Sequence, residues 1–245
     1  PVERTTVAAE RIVAACAAAG VRLGIVLQHR FRPAAVELRR RLAEGELGRL
    51  ALAVCTVPWW RPQSYYDQPG RGTLERDGGG VLLSQAIHSL DLRASLTGPA
   101  LAVTAMVGTT ALHRMETEDT AVAGLELANG ALGAVLATTA LYPGGPERLE
   151  LVGTAGSATL LGDELILKRL DGGEERFGKA SGTGGGADPM AFAHDWHRSV
   201  IADFLDAIEQ GREPAVSGAA ALGVHRLIDA ILASSAEGRR VRVAS

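Results

Sequence analysis

The segment "RGTLERDGGGVLLSQAIHSLDL", residues 71–92, carries more specific chemistry than any other stretch of the chain. Three glycines at 78–80 lead directly into an apolar run whose spacing predicts a helix over 80–96. At about 100° per residue, Ser84, His88 and Asp91 fall on one stripe, beside an apolar stripe suited to packing on a sheet. The segment therefore predicts a core helix that presents a hydroxyl, an imidazole and a carboxylate together.

This polar stripe has two interpretations. An imidazole with an ordinary pKa of about 6.5 suits proton exchange with a substrate hydroxyl, and Asp91 would then orient the ring of His88. Alternatively, His88 and Asp91 form a structural pair where the helix meets the sheet. Spacing alone leaves both interpretations open.

The loop before this helix is unusually rich in aromatic and arginine side chains. Residues 58–77, "PWWRPQSYYDQPGRGTLERD", hold four of the ten aromatic residues in the chain. Arg61 and Arg71 lie among them and offer paired donors for a carboxylate or phosphate. Aromatic faces combined with arginine and tyrosine suit a polar, ring-shaped ligand such as a sugar. The alternative is an ordinary loop that anchors itself on the sheet through its aromatic rings.

Composition excludes several classes of function. The 245 residues are 47% hydrophobic and 22% charged, which is typical of a soluble globular protein. A net charge of −3 gives no electrostatic reason to expect binding to nucleic acid or to an anionic membrane. No stretch approaches the roughly 20 apolar residues of a membrane span. Cys16 and Cys55 match no metal-ligand spacing, so we expect buried free thiols, no metal and a cytoplasmic location.

The order of predicted elements indicates an α+β fold. Residues 5–19 and 33–45 read as helices, with a strand at 21–27 between them and another at 49–57. Short β-like runs punctuated by glycine follow over 101–177, and two helices over 191–210 and 217–236 precede a closing strand. We therefore predict an open, mainly antiparallel sheet with helices on one face, preceded by a helix–strand unit. Small residues at alternate strand positions suggest that the other face is covered by a partner, so we expect a homo-oligomer.

With these motifs in view, the chain resembles the Gfo/Idh/MocA oxidoreductases. Their second domain carries the helix motif G-G-G-x-L-x-(D/N)-x-x-x-H-x-x-D, which residues 78–91 match with Ser84 in place of Asp or Asn. Residues 7–50 are similar to the segment that joins the two domains of the family, and residues 201–243 are similar to its C-terminal ending. The form of the motif resembles the branch that acts on sugars and nucleotide-linked uronic acids.

The resemblance implies a domain organisation and a cofactor. Family members bind NAD or NADP in an N-terminal Rossmann domain and use the lysine of an E-K-P motif as acid/base. The match here begins at Pro1, the proline of that motif, and neither Lys168 nor Lys179 stands at the position of the lysine. Residues 1–30 would then be the remnant of the dinucleotide-binding domain, and residues 31–245 the substrate-binding and oligomerisation domain. We expect a fragment or natural truncation that binds no cofactor by itself.

The resemblance also implies site residues. His88 matches the histidine that binds substrate and assists catalysis, and Gln28, His29 and Arg30 match a strand end near the nicotinamide. The remaining matched positions are predicted to bind the substrate: Arg61, Tyr66, Arg71, Ser84, Asp91 and His197.

Three functions follow as hypotheses. The first is the substrate-binding domain of an NAD(P)-dependent dehydrogenase acting on a sugar, uronic acid or cyclitol hydroxyl, inactive by itself. The second is a non-catalytic sugar-binding or oligomerisation module. The third is a lyase or epimerase without a cofactor that uses His88 and Asp91.

Overall fold

One nine-stranded sheet dominates the computed structural model, which describes residues 1–179 and 194–244. In chain order its strands are β1 (Leu50–Pro58), β2 (Ala100–Gly108), β3 (Thr120–Leu127), β4 (Leu132–Thr138), β5 (Arg148–Gly153), β6 (Gly156–Leu161), β7 (Glu164–Arg169), β8 (Glu174–Gly178) and β9 (Val241–Arg242). The strands lie in the order β8-β7-β6-β5-β1-β4-β3-β2-β9. Among these pairs only β1 and β4 run parallel, which confirms the predicted open, mainly antiparallel sheet.

Six α-helices accompany this sheet within the described residues. They are α1 (Thr6–Ala18), α2 (Pro33–Ala43), α3 (Gln63–Tyr66), α4 (Ile87–Thr97), α5 (Asp195–Glu209) and α6 (Gly218–Glu237). The first two begin as their sequences predict: the Thr5 side chain accepts a hydrogen bond from the N–H of Ala8, and Pro33 opens α2. The predicted loop at 178–188 and the start of the 191–210 helix lie largely outside the described residues.

The predicted strand over 21–27 is wrong. Its only ladder contact is an isolated bridge between Gly24 and Ser217, flanked by hydrogen bonds from Ile25 N to Val216 O and from Gly218 N to Leu23 O. The β-branched run lacks a neighbouring strand among the described residues, so its backbone pairs with the segment leading into α6 instead. The helix of the predicted helix–strand unit forms, and its strand does not.

Helices cover one face of the sheet. Helices α2, α4 and α6 pack against the strands, and Ser234 of α6 accepts a hydrogen bond from the N–H of Ala105 in β2. In β3 the residues alternate between buried and exposed, so the strand turns one face to the helices and the other outward. By length and apolar composition α6 could span a membrane, but half of it is buried inside the protein, where it serves as a core helix.

The glycine-led helix starts with close backbone packing. The carboxylate of Glu118 accepts hydrogen bonds from the N–H groups of Gly80 and Leu82, both at 3.0 Å, and the Glu118 carbonyl accepts from Val81 at 2.8 Å. A Cβ on Gly80 would lie 1.9 Å from that carbonyl oxygen, so only glycine fits. Asp77, just before the glycines, accepts a hydrogen bond from the N–H of Gly72 at 2.8 Å.

The helix is not regular at its start. Residues Leu82–Ala86 form a π-helical turn, and α-helical geometry begins only at Ile87. The wider turn changes the angular spacing between Ser84, which lies within it, and His88 and Asp91, which follow it in the regular part of the helix.

Candidate functional site

A cleft of about 290 Å³ opens where the helix motif, the 3₁₀ turn Gln28–Phe31, the aromatic loop and α5 meet. Polar and aromatic side chains dominate its wall. Its lining residues are Val26, Gln28, His29, Trp59, Arg61, Tyr65, Ser84, Gln85, His88, Trp196 and His197. The structure thus brings together six of the ten residues predicted for the site, from four separate parts of the chain.

His88 is a neutral imidazole in this cleft. Burial lowers its pKa from 6.5 to about 3, with smaller contributions from the positive chain terminus, Arg32 and His197. Its Nδ1 is inaccessible to solvent and has no hydrogen-bond partner among the described residues. The expectation of an ordinary imidazole pKa is therefore corrected: at neutral pH His88 offers hydrogen bonds to a ligand without carrying a charge.

Ser84 lies one helical turn before His88 and also lines the cleft. Its hydroxyl lies within hydrogen-bond distance of two acceptors, the carbonyl oxygen of Gly80 at 2.6 Å and Oε1 of Gln85, and donates its one hydrogen to either of them. A serine that donates to a carbonyl four residues back keeps lone pairs free to accept. Ser84 therefore suits a ligand hydroxyl as an acceptor, without the acid/base capacity of a carboxylate.

Arg61 forms a charged part of the wall and is 2% exposed. Its guanidinium carbon lies 5.0 Å from the ring of Trp59 and 5.7 Å from that of Tyr65. Its Nη1 donates to the carbonyl of Trp60 at 2.7 Å. Aromatic faces on Trp59 and Tyr65 thus hold the cation in a fixed orientation.

The loop carrying Arg61 is anchored from behind by a histidine that the sequence analysis did not identify. His113 is bonded through Nδ1 to the carboxylate of Asp119 and through Nε2 to the carbonyl oxygen of Arg61, each at 2.8 Å. Asp119 also accepts from the N–H and hydroxyl of Thr110. These hydrogen bonds connect the backbone of Arg61, through His113 and Asp119, to the start of β3. All of the bonded groups are at least partly buried.

The 3₁₀ turn contributes the wall opposite the loop. His29 lies beside His88, with ring centroids 5.2 Å apart, and its Nε2 is 2.5 Å from Nη2 of Arg32. The Oε1 of Gln28 is buried without a partner among the described residues. Of the three residues predicted to contact the nicotinamide, Gln28 and His29 line the cleft, and Arg30 does not.

Four of the predicted site residues lie outside the cleft. Arg30 pairs with Asp91, and both line a different pocket. Tyr66 is buried and bonds Thr139 Oγ1 at 2.6 Å, and burial raises the pKa of its hydroxyl to about 12. Arg71 stacks on Tyr65, with its guanidinium carbon 4.7 Å from the ring centroid. Tyr65 lines the cleft, and Arg71 does not.

The helix α5 supplies two neighbouring residues to the wall. His197 lines the cleft as predicted, and Trp196, which the sequence analysis did not single out, is buried beside it. The sequence feature that could have identified Trp196 is its position next to a candidate histidine on an amphipathic helix. Within the described ranges no group of three or more His, Cys, Asp or Glu side chains is arranged to hold a metal ion. Cys16 and Cys55 are free thiols, of which Cys55 is buried.

These features define a class: an open-sheet domain with a polar, aromatic-walled cleft at the start of a glycine-led helix. The chain belongs to the GFO/IDH/MocA C-terminal domain family, whose model matches residues 35–159. The resemblance stated from the motif is thereby confirmed. No match is found among curated protein sequences.

Solved structures extend the comparison over the whole chain. The WlbA dehydrogenase from Bordetella pertussis, in complex with NADH and UDP-GlcNAcA, is 29% identical with a TM-score of 0.80, covering 99% of this chain and 69% of that one. Levoglucosan dehydrogenase, in complex with NADH and levoglucosan, is 25% identical with a TM-score of 0.84, covering 100% and 72%. An NAD-binding oxidoreductase from Klebsiella pneumoniae, 21% identical with a TM-score of 0.86 over 100% and 72%, shares the fold. The family is one of oxidoreductases, and its relatives include NAD-dependent sugar dehydrogenases.

Proposed function

We propose that this chain is the substrate-binding part of an NAD(P)-dependent oxidoreductase that acts on a hydroxyl of a sugar, uronic acid or cyclitol. The observation that carries the proposal is the cleft, where a neutral imidazole, a hydroxyl and an aromatic-clamped arginine converge within about 290 Å³. Two relatives support the substrate class, since one was solved with UDP-GlcNAcA and the other with levoglucosan.

Each side chain has a distinct part in binding. An imidazole with a pKa of about 3 is a weak base at neutral pH. The part of His88 is therefore to orient the reacting hydroxyl by a hydrogen bond. Ser84 accepts from a second ligand hydroxyl. Arg61 binds an anionic group such as a uronate or phosphate, and the rings of Trp59 and Tyr65 flank the sugar.

The cofactor fits this chain only in part. Gln28 and His29 have buried, unpartnered side-chain atoms on the cleft wall and could face a nicotinamide. Within residues 1–179 and 194–244, however, no strand leads through a G-x-G-x-x-G turn into a helix, as binding of a dinucleotide pyrophosphate requires. When bound, the cofactor supplies the hydride acceptor, and the residues described here orient the substrate.

The 245 residues alone are therefore proposed to be inactive as a dehydrogenase. Lys168 is an exposed residue of β7 that pairs with Glu174, and Lys179 follows β8, so neither lysine reaches the cleft. In this assignment residues 1–30 belong to the cofactor-binding side of the protein and residues 31–245 bind substrate and partner subunits.

The open face of the sheet supports assembly into a homo-oligomer. Met106, Val122 and Leu136 lie in one row across β2, β3 and β4, and Gly124 pairs with Ala134 in the next row. Met106 is 73% exposed, and the outward positions of these strands are apolar or small except for Glu126 at the end of β3, which pairs with Arg240. A flat apolar face of this kind is stabilised when a second copy covers it.

The two other hypotheses gain less from the structure. A binding or assembly module retains the same cleft and sheet face, and it differs from our proposal only in having no catalytic partner domain. A lyase or epimerase needs His88 and Asp91 at one reacting centre. Because Asp91 is bonded to Arg30 outside the cleft, the geometry does not favour that mechanism.

Calorimetric titration of the chain with UDP-GlcNAcA, levoglucosan, glucuronate and myo-inositol tests the substrate class. We expect at least one of these to bind, and the His88→Ala variant to weaken its affinity by about threefold to tenfold, the worth of one hydrogen bond. His194→Ala, at an exposed position, is the matched control and should bind normally.

Two results would overturn the proposal. Absence of binding by all four compounds would contradict the substrate class, and unchanged affinity in a folded His88→Ala variant would contradict the role of that ring. Oxidation of NADH or NADPH, or reduction of the oxidised cofactors, should be undetectable with the chain alone. Measurable turnover would overturn the proposal that the chain is inactive by itself.

A further inference from the structure

The bond between Arg32 and His29 determines where His29 carries its proton. A guanidinium has donors only, so the Nε2 of His29, at 2.5 Å from Nη2 of Arg32, must be the acceptor. A neutral imidazole that accepts at Nε2 has its hydrogen on Nδ1. Burial and the adjacent positive charge of Arg32 both lower the pKa of this histidine, which keeps the ring neutral.

Arg32 is itself fixed by contacts of both terminal nitrogens and of its guanidinium plane. It is 3% exposed, its Nη1 donates to the carbonyl of Gly162 at 3.2 Å, and its Nη2 lies 3.5 Å from the carboxylate of Glu147. Its guanidinium carbon lies 4.6 Å from the ring of Trp196. Because Glu147 is also buried, the charge of Arg32 has a local counterion and the side chain cannot turn away from His29.

The other nitrogen of the ring has no such partner. The Nδ1 of His29 is inaccessible to solvent and makes no hydrogen bond to any described residue. A buried N–H without an acceptor is costly, and His29 lies on the cleft wall between His88 and Trp196. Because His29 lines the cleft, a ligand oxygen that displaces this part of the wall would satisfy the donor.

We infer that His29 is a ligand-binding residue whose Nδ1–H donates to an acceptor oxygen of the reactant in the cleft, and that Arg32 positions it by fixing this tautomer. The inference rests on the proposed function and adds a specificity determinant to that site. The acceptor oxygen belongs either to the sugar substrate or to the nicotinamide carboxamide. Separate affinity measurements with sugar ligands and with NADH distinguish these two sources.

The tautomer is measured first, on the ligand-free chain. In a long-range ¹H–¹⁵N correlation spectrum of the histidine-labelled protein at pH 7, the His29 ring should show the Nδ1–H pattern. Loss of its signals in His29→Gln assigns them. Arg32→Met should shift the ring towards the Nε2–H form, whereas Arg39→Met, on an exposed side chain of α2, should leave it unchanged.

The wild-type spectrum is decisive even if Arg32→Met fails to fold. An Nε2–H tautomer or a doubly protonated ring in the wild-type chain would overturn the inference. The Nδ1–H pattern would support only the tautomer assigned to His29. A pair of substitutions tests whether Nδ1–H donates to the ligand.

His29→Asn and His29→Gln separate the two bonds of the ring. The amide nitrogen of asparagine takes the place of Nδ1 and retains the donor to the ligand, while glutamine retains an acceptor for Arg32 and loses that donor. We expect His29→Asn to bind ligand about threefold to tenfold more tightly than His29→Gln. A purely structural role of the Arg32 bond predicts the opposite order. Thermal unfolding checks that both variants are folded.

The affinities are measured separately for UDP-GlcNAcA, for levoglucosan and, at high concentration because the chain offers only the nicotinamide end of a cofactor site, for NADH. A difference confined to a sugar ligand assigns the acceptor to the substrate, and one confined to NADH assigns it to the cofactor. Equal affinities of the two variants, or the reverse order, for a ligand that binds the wild type would overturn the inference and leave the proposed function intact. Absence of binding to the wild type would instead count against the proposed function and the ligand step together.

Discussion

Arg30 and the buried carboxylate of Asp91 form a partly buried ion pair joined by two hydrogen bonds, from Nε to Oδ2 at 2.6 Å and from Nη2 to Oδ1 at 2.5 Å. The pair connects α4 to the 3₁₀ turn that supplies His29 to the cleft. Arg30 also donates to the carbonyl of Ala215 at 3.0 Å, which ties the segment before α6 to the same point. The last residue of the helix motif thus holds three segments of the chain together.

Replacing Asp91 by asparagine should reduce stability more than ligand binding. The Asp91 side chain is 1% exposed, so the change leaves the partly buried Arg30 guanidinium without its counterion, at a cost of about 1 to 3 kcal/mol in the free energy of unfolding. Urea denaturation measures this loss. The double variant Arg30→Met/Asp91→Leu should recover part of it. A folded Asp91→Asn protein of normal stability that no longer binds sugar would instead place this carboxylate in substrate binding.

Substituting Gly80 by alanine should destabilise the chain by at least about 3 kcal/mol. The new methyl group would overlap the carbonyl oxygen of Glu118 at 1.9 Å, where backbone rather than a flexible side chain must move. Gly223→Ala in α6 is the control: it meets no atom within 4 Å and should be neutral or stabilising by up to about 1 kcal/mol. Similar denaturation midpoints for the two variants would show that Gly80 does not fix this junction.

The sequence is sufficient to predict most of the fold because hydrophobic periods, caps and turns are local signals. Thr5 caps α1, Pro33 opens α2, and Asn129-Gly130 turns between β3 and β4, each where the sequence places it. The failed strand at 21–27 has the right residue types, but a strand also needs a neighbour. That requirement depends on the rest of the fold, which local pattern does not contain.

The site was harder to predict, because a shared helix stripe does not decide which partner each side chain meets. Regular geometry places Ser84, His88 and Asp91 on one stripe, whereas in the structure Ser84 and His88 line the cleft and Asp91 bonds Arg30 beside a different pocket. Loop contacts such as His113 with Arg61 O are also invisible to periodicity. Aromatic and arginine enrichment pointed to a loop that lines the cleft, but the tyrosine in the cleft wall is Tyr65, whereas the predicted Tyr66 is buried against Thr139.

The buried state of His88 predicts a specific dependence of stability on pH. The ring has a pKa of about 3 in the folded chain and 6.5 when exposed, so below pH 6.5 the unfolded chain binds a proton that the folded chain does not. Acidification from pH 7.5 to 5 should therefore lower the free energy of unfolding by about 1 to 2 kcal/mol through this residue alone. In His88→Gln that contribution disappears, and the profile becomes shallower. Urea denaturation at several pH values measures both.

The exposed His194 provides the control for this titration. His194→Gln should have the same pH profile as the wild-type chain, because its side chain is 87% exposed and changes its surroundings little on folding. Identical profiles for His88→Gln and the wild type would show that the His88 ring titrates alike in the folded and unfolded states. The neutral hydrogen-bonding role assigned to it would then fail.

Self-association should depend on the open face of the sheet. Val122 lies opposite Met106 and Leu136 in an apolar row, so Val122→Glu would place a charge in the centre of any interface formed there. Light scattering should show an oligomer for the wild type and a monomer for Val122→Glu. Val36→Glu adds the same charge at a 49% exposed position of α2 and should leave the oligomer intact. A wild-type chain that stays monomeric at high concentration contradicts the interface, since the exposed row would then be stable in water without a partner.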